Sequence, residues 1–148
     1  MVLLDISSEY GYVLLVAAST TFVNAWHGIQ TSKARKVSGI GYPTAYASSE
    51  EAKEGTPAYL FNCAQRAHAN FAENVTPFMA NLLIAGVRYP LLAAGLGFGW
   101  LAGRVLYTIG YTSNGPKGRR TGALVHNLSL LGLAFTAGYT ALKLIQGQ

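Results

Sequence analysis

Hydrophobic residues fall in four long blocks separated by polar segments, with no short alternating runs. The blocks cover residues 10–36, 58–87, 91–111 and 121–145. Crossing a bilayer takes about 20 mainly apolar residues at a rise of about 1.5 Å each. In lipid, each segment must satisfy its own backbone hydrogen bonds, so these blocks should be helices. The pattern therefore predicts an all-α, four-helix transmembrane bundle forming a single domain over residues 1–148.

Composition strengthens the membrane interpretation and narrows the function. Hydrophobic residues make up 51% and charged residues 11% of the chain, against roughly 25% charged in ordinary globular domains. The net charge of +5 comes from basic residues at the ends of the apolar blocks, which argues against a nucleic-acid surface. Cys63 is the only cysteine, and no His/Asp/Glu cluster has metal-ligand spacing, so we expect no disulfide and no metal site.

The distribution of cations predicts the orientation in the membrane. The second joint contains only Arg88, whereas the first and third polar segments and their edges contain Lys33, Arg35, Lys36, Lys53, Lys117, Arg119 and Arg120. Because positively charged loops stay on the cytosolic side, the first and third loops should face the cytosol. Both termini would then lie on the opposite side.

The second block carries a polar stripe. Asn62, Arg66, Asn70 and Glu73 are offset by four, four and three residues, which places them on one face of a helix. A charge in a spanning segment costs at least a few kcal/mol, so such residues usually have a functional or structural partner. Arg66 and Glu73 lie about 10 Å apart along the axis, which is long for a direct ion pair. We therefore expect a zwitterionic ligand between them; an internal ion pair that holds helices together is the alternative.

Two further features suggest a pocket beside this stripe. Pro77 removes the hydrogen bond to the carbonyl of Glu73, so the helix should bend there, although prolines are also tolerated in membrane helices. Arg104, Tyr107 and Tyr111 share one face of the third block and could form a second polar wall; tyrosines near helix ends are alternatively interface anchors. We expect a cytosol-facing pocket for an anionic, polar ligand, with a second reactant arriving through the lipid.

Several short motifs occur in order along nearly the whole chain. They are Glu9-Tyr10-Gly11, Lys33-Ala34-Arg35-Lys36, Tyr42-Pro43, Phe61-Asn62-Cys63 followed by Gln65-Arg66-Ala67-His68 and Asn70, and Gly103-Arg104-Val105-Leu106-Tyr107 with Gly110-Tyr111. In these motifs the chain resembles the MAPEG family, the membrane-associated proteins in eicosanoid and glutathione metabolism. Within the family it is most similar to the microsomal glutathione transferase 3 branch.

The resemblance implies a homotrimer with three glutathione sites between adjacent subunits. The residues that match the family's glutathione-binding positions are Arg35, Arg66, His68, Asn70, Glu73, Tyr107 and Tyr111. Glu73 would bind the γ-glutamyl amine and the arginines the carboxylates. The thiolate-activating arginine of the family falls at Arg119. The preceding loop is one residue longer than in the leukotriene C4 synthase pattern, so Arg120 could take this role instead.

The implied activity is transfer of glutathione to hydrophobic electrophiles, reduction of lipid hydroperoxides with glutathione, or both. The alternative is a non-catalytic membrane protein that presents a lipid to a partner, like the family's lipoxygenase-activating member. A channel or transporter fits less well, because the charges cluster at one membrane face. The resemblance implies that the protein is located in the endoplasmic reticulum membrane, with the outer mitochondrial membrane as the alternative.

Overall fold

A computed structural model describes residues 7–147 as four α-helices. They are α1 (Tyr10–Ser38), α2 (Pro57–Gly86), α3 (Pro90–Gly118) and α4 (Arg120–Ile145). The described part of the chain contains no β-strand, and the all-α prediction is confirmed. The domain proposed from the sequence also included residues 1–6 and 148, which lie outside the described range.

Local sequence signals set the helix ends. The hydroxyl of Thr56 accepts a hydrogen bond from the backbone N–H of Tyr59 at 3.2 Å and caps α2, as expected of an N-cap threonine. Proline occupies the first position of both α2 and α3, where its missing N–H costs nothing. Gly39 ends α1 in a left-handed conformation with φ of 73°, and its N–H bonds the carbonyl of Arg35.

The third loop differs from the prediction. The sequence indicated an open loop over residues 112–120, but the helical conformation continues to Gly118 and is interrupted only at Gly115. Gly115 has a φ of 63°, which glycine adopts without steric cost, and Pro116 cannot continue the hydrogen bonding. The chain then resumes a helical turn that packs against the backbone of Gly110. Asn114-Gly115-Pro116 thus breaks α3 without producing a loop, and a single residue, Arg119, joins it to α4.

The helices α2 and α3 form the centre of the bundle. Each contacts both α1 and α4, whereas α1 and α4 do not contact each other within the described residues. Phe78 of α2 stacks on Trp100 of α3 at 3.9 Å between ring centroids, and both are fully buried. Glycines bring α3 and α4 close together, because Gly103 lies against the backbone of His126 and Gly122 against that of Tyr107.

Two of the four helices, α3 and α4, are long and apolar enough to cross a membrane. Spanning by α1 and α2 remains a prediction, since polar residues such as Asn24, Arg66 and Glu73 reduce their hydropathy. The outer surfaces of α1 and α4 nevertheless expose large apolar side chains, including Leu14, Leu15, Phe22, Leu124, Leu128, Leu131 and Phe135. Such an extensive apolar surface is unusual for a soluble monomer and, with the apolar helices, indicates a membrane protein.

Candidate active site

A polar cavity of about 370 Å³ opens between α2, α3 and α4. It is lined by Asn70, Asn74, Tyr107, Arg119, Arg120, Ala123, His126 and Asn127. Its lining thus combines two guanidinium groups, three amides, an imidazole and a phenol, which together offer many hydrogen-bond donors. The cavity is suited to a polar ligand with negative charge.

Arg119 is held in place by two tyrosines. Its Nη1 donates a hydrogen bond to the hydroxyl of Tyr107 at 3.0 Å. Its Cζ lies 4.9 Å from the centroid of the Tyr111 ring and 5.8 Å from that of Tyr107, within the range of cation–π attraction. The break at Gly115 and the immediate start of α4 bring Arg119 back over the last turns of α3. The cavity therefore contains a fixed positive charge.

A second arginine lies buried beneath this cluster. Arg104 is 0% exposed, and its Nη1 donates to the Asn70 side-chain oxygen at 2.6 Å. Its guanidinium also lies over the ring of Trp100, with Cζ 4.8 Å from the centroid. Its Nε and Nη2 have no hydrogen-bond partner among the described residues. Buried charged groups are costly unless fully hydrogen-bonded, and the described residues satisfy Arg104 only in part.

The prediction that Arg66 and Glu73 are too far apart to pair is wrong. Arg66 Nη1 lies 2.8 Å from Glu73 Oε1, and Nη2 lies 3.4 Å from Oε2. The axial separation of the two Cα atoms is bridged because both side chains are long and extend along the helix surface toward each other. The pair is at the outside of the bundle, with the two side chains 46% and 51% exposed. The residues of the predicted stripe therefore do not all face the same way: Arg66 and Glu73 lie at the surface, whereas the Asn70 side chain points inward to Arg104.

Pro77 lies within α2 and does not line the cavity. The helix α2 continues through it to Gly86, and the Asn81 side-chain amide donates to the Pro77 carbonyl at 2.8 Å. The cavity is lined by Asn70 and Asn74 but not by Pro77. A bend at Pro77, and its tolerance as a proline in a membrane helix, both stay predictions.

Arg35 is engaged in the first loop. It is buried, and its Nη1 donates to the carbonyl of Thr44 at 2.7 Å. Its guanidinium lies between the rings of Tyr42 and Phe61, with Cζ 4.3 Å and 4.4 Å from their centroids. Arg35 therefore organises the loop between α1 and α2 and does not line the cavity.

His68 also lies apart from the cavity, on the side of α2 that faces α1. Its Nε2 is 3.2 Å from the side-chain oxygen of Asn24. Its ring centroid is 6.0 Å from that of the buried His27. Of the residues expected in the site, the structure brings together Asn70, Tyr107, Arg119 and the adjacent Tyr111. It leaves outside the cavity Arg35, Arg66, His68 and Glu73.

The sequence interpretation missed His126 and Asn127, which line the cavity from α4. A lone histidine in an apolar helix, such as His126, does not by itself indicate a site. The two residues follow Arg119 by seven and eight positions, which is two helical turns, so they share its side of α4. This spacing is present in the sequence, but it becomes informative only when α4 is known to begin directly after Arg119, without an intervening loop.

Comparison with known proteins gives a family match over most of the chain. A family model described as MAPEG matches residues 13–139. The matched range runs from the first turns of α1 almost to the end of α4 and contains every residue that lines the cavity.

Proposed function

Because the chain belongs to the MAPEG family, we propose that it is a membrane-bound glutathione-dependent enzyme of the microsomal glutathione transferase 3 type. The family includes glutathione transferases, peroxidases and non-catalytic activating proteins. Our assignment to the enzymes rests on one observation above the others. Arg119, held by Tyr107 and Tyr111, places a fixed positive charge in a polar cavity.

The lining of the cavity fits the chemistry of glutathione. The cavity volume of about 370 Å³ is within the range of small-molecule sites. Arg119 and Arg120 can bind carboxylates, and the amides of Asn70, Asn74 and Asn127 can hydrogen-bond a peptide backbone. The incompletely satisfied Arg104 beneath them also requires an acceptor. These groups together favour an anionic peptide.

Catalysis depends on what Arg119 does to a bound thiol. A guanidinium remains charged at any physiological pH, and a positive charge beside a thiol stabilises the thiolate, which is the reactive nucleophile. The glutathione thiolate either bonds to an electrophilic carbon, with loss of a leaving group or protonation of the adduct, or attacks a hydroperoxide oxygen. In the second reaction the O–O bond breaks and releases the alcohol, and a second glutathione converts the resulting sulfenic acid to glutathione disulfide and water. Arg119 provides a fixed positive charge beside the attacking sulfur. The contacts with Tyr107 and Tyr111 restrict the movement of the Arg119 side chain.

We further propose that the enzyme is a homotrimer in the endoplasmic reticulum membrane. Arg35, Arg66, His68 and Glu73 lie outside the cavity of their own subunit, and the last three are on or near the surface. Assembly would allow these three to approach the cavity of a neighbouring subunit, whereas Arg35 is held in its own first loop. This arrangement accounts for glutathione-binding positions that a single subunit does not gather.

An apolar groove supports a lipid as the second ligand. It has a volume of about 690 Å³, lies between α1 and α3, and is lined by Leu15, Val16, Ser19, Val23, Phe98, Leu101, Ala102, Val105 and Leu106. The groove also favours the second candidate function, a non-catalytic protein that binds and presents a lipid. The two candidates differ in whether the bound thiol is activated.

The decisive experiment follows thiolate absorbance when glutathione is added to the protein purified in detergent. We expect a thiolate signal, conjugation of a hydrophobic electrophile and consumption of a lipid hydroperoxide. Arg119→Ala should lower kcat by roughly 10²–10³, as removal of one charge-stabilising group does elsewhere, with glutathione still bound. Arg120→Ala should mainly raise the KM for glutathione.

Arg88→Ala provides a matched control, because Arg88 is an exposed arginine in the joint between α2 and α3. Its activity should equal that of the wild type. Loss of kcat in Arg120→Ala but not in Arg119→Ala would reverse our assignment of the activating arginine. Absence of both a thiolate signal and hydroperoxide loss would leave the lipid-presenting function as the better candidate.

A further inference from the structure

Asn127 is an exposed asparagine on a face of α4 that is otherwise apolar. It follows Leu124 by three residues and precedes Leu131 by four, so the three side chains share one face of the helix. Leu124 and Leu131 are both exposed. Asn127 also lines the polar cavity that contains Arg119. Its amide therefore lies where the cavity meets the apolar outer surface of α4.

The Asn127 amide makes no hydrogen bond within the part of the chain that the structure describes. By contrast, each asparagine of α1 and α2 has a side-chain partner; these residues are Asn24, Asn62, Asn70, Asn74 and Asn81. An amide that leaves water without gaining a partner costs free energy. Asn127 is thus the exception among the helical asparagines just compared, and its exposure leaves the amide open to a ligand.

The position of Asn127 along α4 indicates which reactant can reach it. Arg119 and Arg120 lie at the start of α4, where charged side chains can remain at the membrane surface. Asn127 follows Arg119 by eight residues, or about 12 Å along the helix axis. In the predicted four-span arrangement it therefore lies deeper in the membrane than the two arginines. The carboxylates of a peptide favour the arginine end of the cavity, whereas a lipid approaches from the end that contains Asn127.

The amide is uncharged, which indicates the chemistry of its partner. A primary amide donates two hydrogen bonds and accepts others through its oxygen. A neutral oxygen group on a lipid can satisfy it, whereas a purely apolar molecule cannot. A few polar groups in an otherwise apolar site are what orient a small molecule there. The reactive group of the second substrate must also reach this cavity, because the thiol is activated beside Arg119.

We propose that Asn127 is a specificity-determining residue for the second substrate, donating a hydrogen bond from its amide to an oxygen of a lipid hydroperoxide. This inference rests on the proposed glutathione-dependent function and adds to it a preference among lipid substrates. Substrates that carry an oxygen at the reacting group gain this hydrogen bond, and electrophiles without one do not.

The test compares two second substrates that share one alkyl chain, octyl hydroperoxide and octyl iodide, with glutathione and the protein in detergent. Asn127→Leu should lower kcat/KM for the hydroperoxide by roughly threefold to tenfold, the effect of one hydrogen bond between uncharged groups. The value for the iodide should not change, because this substrate offers no oxygen. The thiolate absorbance and the KM for glutathione should also stay unchanged. Asn127→Gln, which keeps the amide, should recover part of the loss.

Thr136→Val is the matched control, because it removes a polar group from the same helix outside the cavity. The Thr136 hydroxyl donates to the carbonyl of Gly132 at 2.8 Å, and the residue does not line the cavity. This variant should match the wild type with both substrates. If the wild type reduces only the hydroperoxide, the unchanged KM for glutathione and the recovery by Asn127→Gln decide the test.

Several results with Asn127→Leu would overturn the inference while leaving the proposed function intact. Equal losses with both substrates, or no loss with either, would show that the amide does not select the oxygen group. A raised KM for glutathione would assign Asn127 to the peptide, and a shift to monomers in native mass spectrometry would make it an assembly contact. Turnover of neither substrate by the wild type would instead refute the proposed function, and the role of Asn127 with it.

Discussion

The helices α2 and α4 each expose one face to the outside of the bundle, and the two faces have opposite chemistry. The face of α2 exposes mainly small and polar residues, namely Arg66, Ala72, Glu73, Thr76, Pro77 and Ala80, and the apolar Ile84 follows near the end of the helix. The face of α4 exposes large apolar residues, namely Leu124, Leu128, Leu131, Phe135 and Leu142. Only the second of these faces is suited to contact with lipid chains.

The difference indicates where each face lies in the assembled protein. An ion pair such as Arg66–Glu73 is costly in hydrocarbon, and small residues are typical of close helix–helix contact in membranes. The face of α2 therefore requires protein or water beside it, whereas that of α4 can face lipid directly. On this interpretation the residues of α2 lie at a subunit boundary, which is where the proposed trimer needs them.

Leu128→Arg should have the largest effect, because it places a charge on the face of α4 assigned to lipid. The cost at the centre of a spanning helix is about 2.5–3.5 kcal/mol on insertion scales, and more by other estimates. We expect little protein to remain in the membrane after alkaline extraction. Leu128→Met is the control and should behave as the wild type. Normal integration and activity of Leu128→Arg would show that this face does not contact lipid.

Thr76→Trp should have the next largest effect, because it adds bulk to the small-residue face of α2. We expect the helix to insert normally but the subunits to fail to assemble, with a shift to monomers in native mass spectrometry and loss of glutathione binding. The matched change on α4, Leu131→Trp, should leave the oligomer unchanged. An unaltered oligomer in Thr76→Trp would place the subunit contact elsewhere.

The positions of the helices could be predicted from the sequence because the physical signals are local. Hydrophobic blocks located the four helices, and Pro57, Pro90 and Gly39 mark ends that lie close to the predicted ones. The segment from Thr112 to Gly118 was wrongly expected to be a loop. Asn114-Gly115-Pro116 indicates that a helix is interrupted, but whether the chain leaves the helix or resumes it depends on packing against Gly110, which no local signal contains.

The candidate site was predictable only in part. Helical spacing and the family resemblance identified Asn70, Tyr107 and Arg119, which line the cavity. The contribution of α4 was missed because it depends on how closely α3 and α4 approach at Gly103 and Gly122. The error over the Arg66–Glu73 pair has a different cause, since axial spacing ignores the direction and length of the side chains.

Replacing both members of the Arg66–Glu73 ion pair together should have the smallest effect on stability, because it leaves neither charge without a partner. Comparison with the single changes gives the most direct measure of what surrounds α2. A double-mutant cycle with Arg66→Gln, Glu73→Gln and both changes measures the coupling between the two side chains by thermal unfolding. For a pair in contact with water, as in a single subunit, the coupling should be below about 1 kcal/mol. If a neighbouring subunit covers and dehydrates the pair, removal of either partner alone should instead be strongly destabilising, by about 3–5 kcal/mol.

Repeating the cycle in the Thr76→Trp background distinguishes these cases, because a coupling that depends on assembly must fall there to the solvent-exposed value. An equally large coupling in both backgrounds would mean that the ion pair is dehydrated by residues of its own subunit. The difference between the exposed faces of α2 and α4 would then be no evidence for assembly.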